Sequence, residues 1–370
     1  MIEDTIIIRN QNNVMMISTD FIGTYHPDED VEQVVKEILV NRKSGKICFD
    51  INSEGLPYTR LHFVDRVVKV LVERGINTDD LFIMSGGSKC PDNFDYYTQH
   101  CQRFGWIQLR ILFVEMFQTH AKDKIYRNLE LYDNNQRTID IKPKKFLTFN
   151  RTPKHHRVGF VAELLRRNLV DNAYVSSYIN GTAEQGCDFG SFRVHHEGLA
   201  RKFPKYYTQI KETLDQNEDV FPLTLTLDKN KDDHDISEEL YLFNESYFGI
   251  STETKFFHDN YQSEVELLED LSLDCNFFTE KTWKFVTAKQ PFMVLGFTNS
   301  LARLRELGYK TFHPYIDESY DLIEDDEERL MAIVDEIERL CNQSDEEWLE
   351  FQKHTNIIAE HNFNVLKDVR

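Results

Sequence analysis

The sequence predicts an α/β protein of two Rossmann-like domains, and three observations predict it. Short apolar runs alternate with amphipathic segments, the signature of strands joined by crossover helices. The pattern restarts after IKPKKF at 141–146, where a proline and three lysines separate polar DNNQRT from apolar FLTF, as at a domain junction. The chain of 370 residues, 41% hydrophobic and 12% aromatic, is long for one hydrophobic core and natural for two.

In the first half, Thr5 to Ile8 and Val14 to Ser18 read as strands and Val31 to Val40 as a helix. Lys46 to Ile51 is a strand, and Leu61 to Val72 a helix closed by Gly75. Leu81 to Met84 is the next strand, Asp92 to Arg103 a helix, and Trp106 to Phe117 a strand running into a helix. This half reads as a doubly wound domain over 1–142.

A second α/β unit, 143–343, opens with a strand at Phe146 to Phe149. The helix after it is expected to take Thr152 as N-cap and Pro153 as its first residue, burying Val158, Val161, Leu164, Leu165 and Leu169. Tyr174 to Tyr178 is the next strand. Residues 180–239 give no clear periodicity, and Leu240 to Ser251 reads as one strand. In FFTEKTWKFVTAKQPFMVLG, 277–296, Thr279 is a candidate N-cap, Trp283 and Val286 recur at helical spacing, and Pro291 separates the helix from the strand that follows. Ser300 to Leu307 is a helix with Gly308 as C′ residue, and Glu327 to Leu340 another. The last segment, 344–370, opens with Ser344 and Glu347 spaced as a capping box and is expected to be a helix crossing back to the first domain.

The formal net charge of −20 disfavours a broad nucleic-acid or anionic-membrane surface, and no window approaches the length of a membrane span. Six cysteines without CxxC spacing suggest neither a zinc site nor a disulfide framework and fit a reducing cytoplasm. No GxxxxGK[ST] loop or GxGxxG fingerprint occurs, so kinase and dehydrogenase readings fall. Asp233 and Asp235 lack an apolar run before them, so metal independence is expected.

Chemistry concentrates at three places. NRTPKHHR gathers Asn150, Arg151, His156 and Arg157 between a strand's C-terminal end and a helix start, where open α/β sheets bind phosphate. STET puts Thr252 and Glu253 at the end of another strand. In TEK, Lys281 occupies the first turn of a helix, a placement locally unfavourable by about 0.3–1 kcal/mol unless terminus and ammonium face an anion. Glu280 suits the vicinal hydroxyls of a ribose, and Thr279, Lys281 and the helix amides suit a diphosphate. Together they describe a nucleotide-sugar site.

NRTPKHHRVGFVAELLRRNLVDNAYVSSY, FFTEKTWKFVTAKQPFMVLGFTNSLARLRELGYKTF and YIDESYD resemble the nucleotide-binding half of glycosyltransferases of the two-Rossmann-domain (GT-B) type, in particular a group common in bacteriophages and large viruses. The TEKTW…PF core is similar to the donor motif of α1,3-fucosyltransferases. The resemblance covers roughly 145–365 well and the first half loosely, through CFDINSEGLP and LFIMSGG. It implies two domains facing each other across a cleft, a donor-binding second domain and an acceptor-binding first. Glu280 would hold the ribose, and Lys281 with Arg151 or Arg157 the diphosphate. No cofactor is implied beyond the nucleotide-sugar co-substrate, and the setting is a cytoplasm, that of the host if the chain is phage-encoded.

An inverting transfer needs a base, for which Glu54 in DINSEGLP is the first candidate and Asp50 the second, with His26 and His62 weaker substitutes. The acceptor is a glycan or small molecule. Arg193, Arg201, Lys202 and Lys205 among aromatics in FRVHHEGLARKFPKYY raise hydroxymethylated DNA as the alternative, and a non-catalytic nucleotide-sugar-binding protein is the other.

Overall fold

The computed structural model describes residues 8–11, 14–18, 29–42, 45–51, 58–85, 91–113, 116–150, 152–177, 196–221, 223, 225, 235–254, 256–257 and 278–368. The chain divides into two compact units, residues 1–116 with 259–277, and residues 117–258 with 278–370. The division falls two helices before the IKPKKF junction.

In the first unit a short antiparallel pair, β1 (Ile8–Gln11) and β2 (Val14–Ser18), leads into parallel strands β3 (Lys46–Ile51), β4 (Leu81–Ser85) and β5 (Arg110–Phe113). Helices α1 (Glu29–Asn41), α2 (Tyr58–Glu73) and α3 (Pro91–Phe104) connect them. Gly75 adopts φ +87° and ends the helical run of α2, as its sequence position requires. Val34, Val35, Ile38, Val64, Val67, Val68 and Leu71 bury one face of α1 and α2 against Ile47, Phe49 and Ile83 of the sheet.

The strand order β1-β2-β3-β4-β5 runs in one direction only. Right-handed crossovers then place successive helices on one face, so this sheet is not doubly wound as expected, and its described strands contain no topological switch point. The alternation along β4, with Leu81, Ile83 and Ser85 buried and Phe82 and Met84 less so, is what one-sided coverage produces.

The second unit opens with α4 (Met116–Arg127) and α5 (Leu129–Asn134), then builds the parallel sheet β7-β6-β8-β9 from β6 (Lys144–Asn150), β7 (Ala173–Ser177), β8 (Ser246–Thr252) and β9 (Phe292–Leu295). β6 is buried from Phe146 onward and β8 along its whole length, as expected of strands covered on both faces. On one side α6 (His155–Arg166) packs with α7 (His196–Lys202), α8 (Tyr207–Gln216) and α12 (Asp326–Cys341). On the other, α9 (Leu240–Asn244) and α10 (Glu280–Thr287) pack on β8, and α10 meets α13 (Asp345–Asp368). Helix α11 (Ser300–Glu306) follows β9, with Gly308 at φ +91° beyond its end.

Two sequence expectations shift. The apolar run Leu240 to Ser251 is helix and then strand: Leu242 and Phe243 are buried from a short helix, and Ser246 Oγ donates to Leu242 O at the turn between them. Helix α6 starts at His155, two residues later than expected, with Lys154 as an N-cap that makes no side-chain bond, so Thr152 and Pro153 precede the helix. The first strand is described from Ile8, and the other residues assigned to it, 5–7, lie outside the described residues.

The C-terminal helix, α13, belongs to the second unit. Its Trp348 stacks on Tyr247 with centroids 4.0 Å apart, and its Asn362 brackets Lys310 by hydrogen bonds to N and O, both 2.8 Å. The capping box forms reciprocally, Ser344 N to Glu347 Oε2 at 2.8 Å and Glu347 N to Ser344 Oγ at 3.3 Å.

Candidate functional site

In the order β7-β6-β8-β9 the chain leaves β6 towards β7 and returns on the other side to β8. That reversal is a topological switch point, and ligands of such sheets bind outside the carboxyl ends of the two strands that flank it. Those ends carry Asn150 on β6 and Thr252 and Glu253 at the exit of β8, with α6 and α10 starting beside them. All eight described residues picked from sequence for donor binding meet at this sheet edge. Arg151 and the proposed base Glu54 lie outside the described residues.

Glu253, 3% exposed, is the hub. Its Oε2 accepts from Thr279 Oγ1 at 2.6 Å and Thr279 N at 3.1 Å, while Oε1 accepts from Thr282 Oγ1 at 2.6 Å and lies 3.1 Å from Ser251 Oγ. The anion at the start of α10 is therefore the protein's own carboxylate. Thr279 caps as expected, its Oγ1 accepting from Lys281 N at 3.4 Å.

His156 and Arg157 brace the same strand exit. The Arg157 guanidinium donates to Thr252 O and Glu253 O through Nη2, at 3.1 and 3.2 Å, and to Thr152 O through Nη1 at 3.2 Å. His156 Nε2 lies 2.9 Å from Glu253 O, and a carbonyl can only accept, so Nε2 carries the proton. Burial, then the charges of Arg157 and Lys154, push the His156 pKa well below its usual value, so the ring is neutral at neutral pH. Its face stacks on Phe256, centroids 5.5 Å apart, and Arg329 sits 4.6 Å above the same Phe256 ring.

Arg329 was not legible as a site residue. It is 1% exposed and donates to Gly296 O at 3.2 Å, Phe256 O at 2.8 Å and Ile323 O at 2.8 Å, while pairing with Asp326. It thus ties the exits of β8 and β9 to the start of α12. An arginine in the first turn of a helix, against the dipole, was the available signal.

The partly exposed pair is Glu280 and Lys281, with side chains 14% and 15% accessible. Lys281 Nζ pairs with Glu280 and donates to Thr279 Oγ1 at 3.2 Å. An ammonium has three donors, and the third finds no acceptor among the described residues. Burial by itself raises the Glu280 pKa, but the charges of Lys281 and Lys284 and the bond from Lys281 outweigh it and bring the group to about 2. Glu280 is a persistent anion.

Asp50 is the penultimate residue of β3 in the first unit, in register with Ser18 and Met84. Of the basic segment considered for DNA, Lys205 Nζ pairs with Asp325 at 2.8 Å and Glu328 at 3.1 Å and Lys202 lies 5.2 Å over the Phe257 ring, while Arg193 lies outside the described residues. Among the described residues no group of three or more His, Cys, Asp or Glu is arranged to hold a metal ion, and no helix is long and apolar enough to cross a membrane. No protein-family model, curated protein or solved structure matches the chain.

Proposed function

We propose that the protein is a nucleotide-sugar-dependent glycosyltransferase of the two-Rossmann-domain type whose second unit binds the donor. The observation that carries this reading is the partly exposed Glu280–Lys281 pair beside the switch point of a parallel sheet, on a helix start that Glu253 and Thr279 hold rigid. Glu280, ionised at every pH of interest, accepts the hydroxyls of the ribose. Lys281 turns its remaining donor to the diphosphate and stabilises the charge that develops on the leaving nucleotide. Positive charge at that point does the work for which other transferases recruit a metal.

The buried network changes the roles assigned to its members. Glu253, Thr252, His156 and Arg157 spend their hydrogen bonds on one another and on strand-end carbonyls, so they hold the donor platform in shape. The base for the acceptor hydroxyl is assigned to Asp50 or Glu54. A glycan or small molecule is the preferred acceptor, since Lys205 and Lys202 are engaged within the protein.

The test is incubation of the full chain with a panel of nucleotide sugars and detection of free nucleoside diphosphate, with and without candidate acceptors. Release above the blank that is lost in Lys281→Ala supports the enzyme. Binding without release, in the presence of acceptors, would make the chain a nucleotide-sugar-binding protein instead.

A further inference from the structure

Among the described residues, the side chain of Asn150 presents a buried acceptor with no donor. The residue is 1% exposed at the C-terminal end of β6, the central strand at the switch point. Its backbone N is fixed by Ser176 Oγ at 3.0 Å, and its Nδ2 donates to Thr148 Oγ1 at 3.2 Å. The amide orientation follows from Thr148, whose hydroxyl proton goes to Ile250 O at 3.1 Å, leaving Thr148 Oγ1 only lone pairs to offer Asn150. Nδ2 must therefore face Thr148, and Oδ1 points away from it without a donor among the described residues. A buried polar atom left unpaired costs stability, and such atoms in folded proteins signal a bound water or a functional role.

Position separates this atom from others of its kind. Gln290 Oε1 is likewise buried without a donor, but Gln290 precedes β9 at the N-terminal edge of the sheet, away from the ligand-binding edge. Asn150 alone lies at a strand end that flanks the switch point. His156, near the start of α6, also offers only an acceptor: with Nε2–H donated to Glu253 O, the neutral ring has only the Nδ1 lone pair left. Phosphate oxygens are acceptors too, so Asn150 Oδ1 repels them. What it suits is a neutral O–H or N–H.

We infer that Asn150 is a specificity-determining residue whose Oδ1 accepts a hydrogen bond from a neutral hydroxyl or N–H of the nucleotide, on the ribose or on the base edge, and takes no part in diphosphate binding. The inference rests on the nucleotide-binding reading above. It assigns the oxygen to ligand discrimination, which an anion site cannot supply: a site with an acceptor waiting for a donor rejects the analogue that lacks it.

Asn150→Leu, close in size, separates this role from a structural one. The full-length variant is compared with wild type by thermal melting and by calorimetric titration with the nucleoside diphosphate that binds wild type, and with its 2′-deoxy, 3′-deoxy and base-exchanged analogues. The expected result is a melting temperature equal to or above that of wild type, with affinity weakened about 10- to 100-fold. The same loss should appear on the wild-type protein with one analogue and should not add in the variant, and the analogue identifies the source as ribose or base. A melting temperature lowered by more than about 5 °C would make Asn150 a structural residue and overturn the inference. Unchanged affinity in Asn150→Leu would overturn it while leaving nucleotide binding intact. Failure of every nucleoside diphosphate to bind wild type would instead remove the proposed function, and this inference with it.

Discussion

Glu253 Oε2 accepts the Thr279 hydroxyl at 2.6 Å, and the same Thr279 oxygen accepts from Lys281 Nζ at 3.2 Å. The threonine thus links a buried carboxylate at the end of β8 to an ammonium at the start of α10. Whatever binds at Lys281 binds to an element anchored in the sheet.

That anchoring predicts a stability cost at Glu253. Glu253→Ala leaves Thr279 N and the hydroxyls of Thr279 and Thr282 without their acceptor in a buried site, and should cost about 3 kcal/mol or more in urea unfolding. Glu253→Gln, which keeps one acceptor oxygen and turns an amide donor towards hydroxyl donors, should cost less. A cost under about 1 kcal/mol for the alanine variant would mean the network is not holding the helix.

Glu280 and Asp321 should give stability opposite pH dependences. The folded pKa of Glu280, about 2, lies below the unfolded carboxylate value, so its contribution is present above that unfolded value and is lost as pH falls from about 4.5 towards 2. Glu280→Gln should flatten this acid limb by roughly 1–3 kcal/mol. An acid limb identical to wild type would contradict the pairing with Lys281.

Asp321 runs the other way. Its Oδ2 accepts from Leu301 N at 3.0 Å at the start of α11, yet burial raises its pKa to about 6 against the pull of those amides and of Arg305. A raised carboxylate pKa stabilises most fully below the unfolded value, near 3.8, and that contribution is lost as pH rises through 6. Asparagine caps as well as aspartate without ionising, so Asp321→Asn should match wild type at pH 4 and equal or exceed its stability at pH 7.5. A variant clearly less stable at pH 7.5 would contradict this.

Arg329→Lys should be poorly tolerated, because an ammonium cannot reach the carbonyls of Gly296, Phe256 and Ile323 from one planar fork. A loss of about 2–4 kcal/mol is expected. In the same variant nucleotide affinity should fall along with stability, since the His156–Phe256–Arg329 stack supports the β8 exit.

The strands and helices with clean periodicity were legible: Lys46 to Ile51, the run from Thr279 to Leu295, and the Ser344 cap are where the residues predict them. Leu240 to Ser251 misled because a short buried helix and a buried strand share one continuous apolar run, which periodicity cannot divide. Strand order was beyond reach, since alternating elements in the first unit say nothing of whether the sheet doubles back. At the site, residue types pointed to one sheet edge, where Glu253, His156 and Arg157 hydrogen-bond to backbone and hydroxyl groups buried there, contacts that strand-end polarity in the sequence does not distinguish from contacts to a ligand.

Donor binding hinges on Lys281, and calorimetric titration of nucleoside diphosphates and nucleotide sugars into wild type and Lys281→Ala tests it most directly. Binding to wild type with one nucleotide family is expected, with affinity weakened tenfold or more in a variant that stays folded. Equal affinity in the two proteins, or no binding of any nucleotide to wild type, would contradict it.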